Sequence, residues 1–171
     1  DLGTSAVKLL LMDETGHIRH VVSREYPLMF PHPGWSEQNP ADWYSQTIDG
    51  LKELIRDCDK SQIAGISFGG QMHGLVILDA QDQIIRPAIL WNDGRTQEET
   101  DYLNNEIGKE KLSKYTANIA FAGFTAPKIL WVKENEPENF AKISKIMLPK
   151  DFLAYKLSGV HCTDVSDASG M

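Results

Sequence analysis

Asp1-Leu2-Gly3-Thr4-Ser5, followed directly by the alternating residues 7–12, is the stretch of sequence from which the fold is predicted. It is typical of a strand, a tight turn and a second strand, with a carboxylate, a glycine and two hydroxyls in the turn. Such a turn can direct N–H groups and hydroxyls at a phosphate while its carboxylate faces a metal ion, as phosphoryl transfer requires. Taken alone, these residues favour the plainer interpretation of a hairpin turn whose composition serves only the backbone.

The residues that follow predict an α/β domain with a mixed sheet. Residues 7–12 and 18–26 form a predicted β-hairpin around Glu14-Thr15-Gly16. Asn39-Pro40 predicts a helix start, because the asparagine can cap free N–H groups and proline suits the first helical position. The further predicted elements are strands over 63–68, 75–79 and 87–91, and helices from a capping box at Thr96 and Glu99, over 125–133 and over 149–159.

Composition excludes several classes of protein. The 171 residues carry 17 basic and 24 acidic side chains, a net charge of −7 and no Lys/Arg cluster, so nucleic acid is not an expected partner. No apolar run approaches the roughly 18–20 residues that cross a bilayer, and no signal peptide is visible, so a cytoplasmic protein without membrane contact is expected. The two cysteines and five histidines lack metal-ligand spacing, so no zinc is expected.

Because the first strand lacks an apolar lead-in and no element closes the end, the chain is expected to be cut from a longer one.

A second polar stretch, Gly69-Gly70-Gln71-Met72-His73-Gly74, stands at a predicted strand end, where open α/β sheets bind ligands. Its simplest interpretation is a glycine-rich turn with a half-buried histidine. Glycines lose the most backbone freedom on folding, however, and a turn that a ligand approaches explains them better. There the His73 imidazole can donate to a sugar hydroxyl, and the Met72 thioether can cover an apolar C–H face.

A third polar stretch, Trp91-Asn92-Asp93-Gly94-Arg95, follows another predicted strand. A turn with an ion pair on the surface explains the aspartate and the glycine, but not the tryptophan, whose indole can wall a carbohydrate site. Lys8 lies on the strand after the first turn and is expected to face solvent, with contact to a nucleotide phosphate as the less favoured alternative. No Gly-x-Gly-x-x-Gly follows the first strand and no Gly-Lys-Ser/Thr loop occurs, which disfavours simple dinucleotide-binding and P-loop sites.

Taken together, these stretches resemble the FGGY carbohydrate kinases, and within that family the xylulose kinases. Glycerol kinases of the family carry Arg-Glu where this sequence has Met72-His73 and a tyrosine where it has Gly123, so the resemblance implies a bulkier substrate. The order and spacing of the matching stretches hold over the whole chain, which makes the resemblance specific. The matching stretches are residues 1–5, 32–38, 70–74, 89–95, 123–128, 148–151 and 166–170.

The resemblance implies an α/β fold of the actin-like, ribonuclease H-like class, with a mixed sheet and flanking helices. Residues 1–171 would form the N-terminal, sugar-binding lobe of a two-lobed sugar kinase, and the nucleotide-binding lobe would lie outside this sequence. ATP and Mg²⁺ are the implied cofactors. The implied site residues are Asp1 as catalytic residue and metal ligand, Thr4, Ser5 and Lys8 at the nucleotide phosphates, and Gln71, Met72, His73, Trp91 and Asp93 at the sugar.

The implied activity is ATP-dependent phosphorylation of D-xylulose to D-xylulose 5-phosphate by the full-length protein, with this chain inactive alone. The family's general base is an aspartate in a Gly-Asp-Asn/Gln motif that this sequence lacks, and Asp151, Asp164 and Asp167 do not have that context. Two alternatives stay open: another FGGY kinase, acting on gluconate, ribulose or a related polyol, and a sugar-binding module without catalysis. A homodimer of the full-length protein also stays open.

Overall fold

The computed structural model describes residues 1–171, in which short strands and helices alternate along the chain. The longest helix has 15 residues, and no helix combines the length and apolarity that a bilayer span requires. The strands are β1 Ala6–Met12, β2 Ile18–Glu25, β3 Glu37–Gln38, β4 Val76–Leu78, β5 Ala88–Ile89 and β6 Lys145–Met147. The helices are α1 Pro40–Leu54, α2 Gln97–Tyr102, α3 Lys109–Thr116, α4 Thr125–Asn135, α5 Pro137–Phe140, α6 Pro149–Ser158 and α7 Val165–Ala168, with a 3-10 turn at Lys60–Gln62 and a π-helical stretch at Leu103–Gly108.

The predicted hairpin and the helix after it are confirmed. β1 and β2 pair antiparallel along their length. Asn39 caps α1 by accepting a hydrogen bond from the N–H of Ala41, and Pro40 occupies the first position of the helix. α1 packs closely on the hairpin at Gly50, where a Cβ would overlap the Leu9 side chain. This contact fixes the helix on one face of the hairpin.

Two groups of apolar side chains make up the core, and β4 contributes to both because alternate residues of a strand point to opposite faces. The larger group joins the hairpin, α1 and α6, and the smaller group joins β4 and β5 to α4. The larger group consists of Leu2, Val7, Tyr26, Trp43, Val76, Leu78, Ala88, Leu90, Met147, Phe152 and Leu153. The smaller group consists of Leu75, Ile77, Ile89, Trp131 and Val132.

The predicted sheet is present as three antiparallel ladders, β1–β2, β3–β5 and β4–β6, rather than as one continuous mixed sheet. Single bridges connect their ends. Leu75 pairs antiparallel with Ile89, and Leu2 pairs in parallel with Gly70. The strands predicted over 75–79 and 87–91 and the helices predicted over 125–133 and 149–159 are confirmed, the strands in shortened form.

One local prediction is wrong, and a second holds for the start of the helix but not for its capping hydrogen bond. Residues 63–68 form no strand and are largely exposed, and the nearest bridge joins Leu2 to Gly70, beyond the end of that stretch. A strand needs a neighbour for its N–H and C=O groups. Thr96 does precede α2, but its hydroxyl donates to the Ala122 carbonyl (2.9 Å) and does not cap the helix.

Candidate functional site

The first turn and the 69–74 turn lie side by side. The Leu2 N–H donates to the Gly69 carbonyl (2.8 Å), and the Gln71 N–H donates to the Leu2 carbonyl (2.7 Å). A Cβ at Gly70 would lie 3.0 Å from Leu2 Cβ, so this approach needs a glycine. A Cβ at Gly69 would lie 3.9 Å from a carboxylate oxygen of Asp1. The acidic end of the first turn therefore adjoins the second turn.

The third polar stretch joins the first through Thr4. The Trp91 indole N–H donates to the Thr4 hydroxyl oxygen (3.0 Å), and 48% of Trp91 stays exposed. Gln38 is buried, donates from Nε2 to the Thr4 carbonyl (2.6 Å), and accepts from Nε2 of Gln71 (3.1 Å). Thr4 therefore joins the first stretch directly to the third and, through the buried amide of Gln38, to the second. Sequence reasoning missed this role of Gln38, although the residue lies in one of the matching stretches.

Gly3 closes the first turn. Its N–H donates to the Ala6 carbonyl (3.0 Å), and its own carbonyl accepts a hydrogen bond from the Tyr26 hydroxyl. A Cβ at Gly3 would lie 2.9 Å from the Ala6 oxygen, so a side chain does not fit here. Burial raises the pKa of Tyr26, so its hydroxyl remains a donor. The turn is thereby anchored to the end of β2.

The groups predicted to contact nucleotide phosphates lie along this turn. Asp1, Ser5 and Lys8 are exposed and Thr4 is half-buried. Because the Trp91 N–H occupies an acceptor position of the Thr4 oxygen, the hydroxyl proton remains available to a phosphate oxygen. A carboxylate beside two hydroxyls is a set of oxygen groups of the kind that Mg²⁺ and its bound phosphates accept. These residues therefore fit the implied metal and nucleotide.

His73 is the most constrained of the residues predicted to contact a sugar. Its φ is +61°, in the left-handed region that residues other than glycine rarely adopt. Its carbonyl accepts from the Thr125 hydroxyl (3.2 Å) and the Lys128 ammonium (3.2 Å). Its ring stacks on Phe124 with centroids 4.3 Å apart, and Nδ1 lies 3.1 Å from the Gly170 carbonyl. Burial lowers the pKa of His73, so the ring is neutral near pH 7.

The two residues before His73, Gln71 and Met72, each present a group that has no partner within the chain. Met72 is 53% exposed. Gln71 donates to Gln38, but its Oε1 is buried without a hydrogen-bond partner. A buried polar atom without a partner is rare in folded proteins and points to an unseen water or ligand.

Lys128 holds the backbone around His73 and was not predicted as a site residue. Its side chain is fully buried, and its ammonium donates to the carbonyls of His73 (3.2 Å), Ala122 (3.4 Å) and Phe124 (2.9 Å), and to that of Gly123. Burial lowers the pKa of Lys128 to about 7. The signal that could have identified it is a lysine flanked by apolar residues within a predicted helix.

Asp93, which was predicted to contact the sugar, has both carboxylate oxygens hydrogen-bonded within the chain. Its side chain is 0% exposed. One carboxylate oxygen accepts from the Ser36 N–H (2.6 Å), and the two oxygens accept from the Arg95 guanidinium at 2.9 and 2.8 Å. Arg95 also pairs with Glu37 (2.7 Å) and is itself buried. The carboxylate therefore holds the turn that carries Trp91.

Three carboxylates gather around Lys150 where α7 meets α6. The Lys150 ammonium lies 2.7 Å from Asp151, 2.7 Å from Asp164 and 3.3 Å from Asp167. Hydrogen bonds from Lys150 and Ser166 hold the pKa of Asp164 below its usual value. The lysine offsets part of the acidic charge and ties α7 to α6, which places the residues after α7 against His73.

The comparisons with known proteins agree on one family. Residues 1–171 match the model of the FGGY family of carbohydrate kinases, N-terminal domain. The chain is 48% identical over 172 residues to the xylulose kinase of Bacillus subtilis (strain 168), covering 99% of this chain and 34% of that protein. It thus spans about a third of the length of the curated relatives it matches.

Solved structures agree with this match. A structure described as a xyloylose kinase from Brucella ovis superposes with a TM-score of 0.93 at 44% identity, covering 99% of this chain and 35% of that chain. A gluconate kinase from Lactobacillus acidophilus superposes with a TM-score of 0.92 at 27% identity, covering 99% of this chain and 34% of that chain. These neighbours confirm the predicted α/β fold class of the actin-like sugar kinases.

Proposed function

Because the chain belongs to the FGGY family of carbohydrate kinases, we propose that the full-length protein transfers the γ-phosphoryl group of ATP to a terminal hydroxyl of D-xylulose, with D-xylulose 5-phosphate as product. The observation that carries this proposal is that Thr4 connects the three polar stretches, directly to Trp91 and through Gln38 to Gln71. Oxygen groups suited to a metal and phosphates stand in the first turn, and Met72 and His73 stand in the turn beside it. The similarity to xylulose kinases supports D-xylulose as the acceptor.

On the sugar side, the exposed Trp91 ring and the Met72 thioether are suited to cover the apolar C–H faces of a ketose. His73 offers a ring nitrogen in a fixed frame, and a buried hydrogen bond of this kind is worth about 1–3 kcal/mol. A Cβ at Gly123 would lie 2.8 Å from the Trp91 carbonyl, so the close approach of these two backbone segments excludes a side chain. The absence of the tyrosine that glycerol kinases carry at this position supports a substrate larger than glycerol.

On the phosphate side, Asp1 would hold Mg²⁺, and Thr4 and Ser5 would donate to phosphate oxygens. When bound, Mg²⁺ neutralises charge on the phosphates. Lys8 would add a positive charge from the exposed side of β1. Positioning and electrostatic stabilisation supply most of the catalysis of phosphoryl transfer, and residues 1–171 contain only part of the machinery, so this chain alone is expected to have no turnover.

A coupled assay of ADP release by the full-length protein tests the proposal. The acceptors are D-xylulose, D-ribulose, D-gluconate and glycerol, and D-xylulose is expected to have the highest kcat/KM. Absence of ADP release with every acceptor would refute the kinase function and favour a sugar-binding module. A higher kcat/KM for another acceptor would refute D-xylulose as the substrate while leaving the reaction class intact.

Gluconate phosphorylation is the second candidate, since a gluconate kinase is among the structural neighbours. Gluconate carries a carboxylate that needs a cation or several donors. The buried cations of this region, Lys128 and Arg95, are already paired within the chain. This observation favours the uncharged ketose, and the same panel of acceptors distinguishes the two.

A further inference from the structure

We infer that His73 is held as the neutral tautomer with its proton on Nδ1, that Nε2 is a hydrogen-bond acceptor for a ligand hydroxyl, and that Gly170 is the positioning residue that fixes this arrangement. The inference deepens the proposed function and rests on it only for the identity of the hydroxyl, which would belong to the sugar. It also reverses the expectation that the imidazole donates to that hydroxyl.

The tautomer follows from the partner of Nδ1. This nitrogen lies 3.1 Å from the Gly170 carbonyl oxygen. A carbonyl can only accept a hydrogen bond, so Nδ1 must carry the proton. A neutral imidazole has one protonated nitrogen, which leaves the lone pair on Nε2. Nε2 makes no hydrogen bond within the chain and is not among the buried atoms that lack a partner. A ligand hydroxyl can therefore donate to it.

The charges that face the ring support the neutral form. Burial has the largest effect and lowers the pKa of His73, while the hydrogen bond to Gly170 opposes it. The Lys128 ammonium lowers the pKa further, and the Asp167 carboxylate raises it. The net shift is downward, so the imidazole is neutral at the pH of the cytoplasm and above.

Gly170 fixes the ring because no side chain fits at its position. A Cβ on Gly170 would overlap Cε1 and Nδ1 of His73. The ring cannot simply move aside, because it stacks on Phe124 at an interplanar angle of 24° and because the His73 carbonyl is held by Thr125 and Lys128. Gly170 is not among the glycines with positive φ, so the position requires space rather than a left-handed backbone.

Two residues that lie far apart in the sequence, His73 and Gly170, therefore form one hydrogen-bonded unit. His73 lies in the 69–74 turn and Gly170 lies 97 positions later, after α7. The ion pairs of Lys150 with Asp164 and Asp167 hold α7 against α6, so that the Gly170 carbonyl stands at Nδ1. The end of the chain thus sets the hydrogen-bonding character of a residue in a distant turn.

The tautomer is tested by ¹⁵N NMR of the full-length protein labelled at histidine, without sugar. The His73 signals are assigned by their loss in His73→Asn. We expect at pH 7.5 a protonated Nδ1 and an unprotonated Nε2. A proton on Nε2, or on both nitrogens, would overturn the inference. This measurement needs no substrate, so it decides the tautomer even if the protein phosphorylates no ketose.

The role of Gly170 is tested by a double-mutant cycle with His73→Asn, which keeps a residue that tolerates the left-handed region but lacks Nε2. Gly170→Ala is expected to raise KM for D-xylulose about ten-fold, with KM for ATP unchanged. In the His73→Asn background the same change is expected to have an effect of less than about two-fold.

Gly65→Ala is the matched control, because a Cβ at Gly65 meets no atom within 4 Å and Gly65 has no positive φ. An unchanged KM for D-xylulose in Gly170→Ala would overturn the role of Gly170. An equal rise of KM in both His73 backgrounds would also overturn it, since Gly170 would then act without His73. If ADP release fails with every acceptor in the unmodified protein, the proposed function fails, and the NMR result still stands on its own.

Discussion

Replacing Lys128 by methionine is expected to change how the stability of the protein depends on pH. Methionine fills a similar volume but cannot donate, so the four carbonyls of residues 73 and 122–124 lose a shared donor. Each buried carbonyl left without a donor costs about 1–3 kcal/mol. Removal of a buried charge offsets part of this cost, since desolvation disfavours the ammonium. These two effects oppose each other near pH 7, so the dependence on pH is the diagnostic quantity.

The size of the pH effect follows from the pKa of Lys128, which burial lowers from 10.5 to about 7 in the folded protein. Between these two values the unfolded chain binds a proton that the folded chain does not, so the free energy of unfolding rises with pH. The rise is at most about 1.4 kcal/mol per pH unit. Since the folded group is half protonated near pH 7, the expected rise between pH 7 and pH 9 is about 2 kcal/mol. Well below pH 7 both states carry the proton, and the stability no longer changes.

The assay is urea unfolding of the full-length protein, followed by tryptophan fluorescence at pH 7, 8 and 9. The difference in free energy of unfolding, unmodified protein minus Lys128→Met, is expected to rise by about 2 kcal/mol over this range. Lys133→Met changes an exposed lysine of the same helix and is the matched control, with a difference that stays flat. A flat difference for Lys128→Met would refute the reasoning, because Lys128 would then have an ordinary pKa in the folded protein.

Further predictions concern the site and its frame. His73→Asn should weaken D-xylulose binding by about 1–3 kcal/mol in isothermal titration, because Nε2 is lost, and an unchanged affinity would contradict the sugar contact. Asp1→Ala should lower kcat by about 100-fold or more while D-xylulose affinity stays near that of the unmodified protein, and a parallel loss of affinity would contradict its place at the metal and phosphate. Asp93→Asn should lower the free energy of unfolding by roughly 3 kcal/mol, since Asp93 and Arg95 are 0% and 1% exposed, and urea unfolding without a change would show that this pair contributes nothing.

Local rules account for the parts of the fold that the sequence predicted. The hairpin follows from alternation on either side of a turn, and the start of α1 follows from Asn39 and Pro40. Gly159 ends α6 in the left-handed conformation, as expected for a helix that stops at a glycine. The meeting of the polar stretches was also predicted, although the strand over 63–68 that would have placed the second stretch at a strand end is absent.

The failures arise where distant partners decide the outcome. The apolar alternation of residues 63–68 predicts a strand, but a strand also needs a neighbour, and no segment of residues 1–171 pairs with them. Thr96 has the right residue type for a cap, yet the Ala122 carbonyl lies within reach of its hydroxyl and takes its hydrogen bond. The sequence also did not indicate that the Asp93 carboxylate would be buried with Arg95 as its partner.

The site residues that sequence reasoning missed share one property: each takes part in a hydrogen bond to a backbone carbonyl. Lys128 donates only to carbonyls, Gln38 donates to the Thr4 carbonyl, and Gly170 contributes its own carbonyl. Backbone carbonyls carry no signature in the sequence, so these roles become visible only when the chain is folded. The sequence predicted His73 as a site residue. Its role as an acceptor at Nε2, rather than a donor, depends on the Gly170 carbonyl and was therefore not predicted.

A crystal structure of the full-length protein with D-xylulose and ADP tests most directly whether the turns at residues 1–5 and 69–74 form one site for a sugar and a phosphate donor. The account predicts a sugar hydroxyl within hydrogen-bonding distance of His73 Nε2, the Trp91 ring against the ketose, and the terminal hydroxyl directed toward residues 1–5. A ketose bound away from both turns, or one that touches the 69–74 turn with its terminal hydroxyl directed away from residues 1–5, would contradict the account.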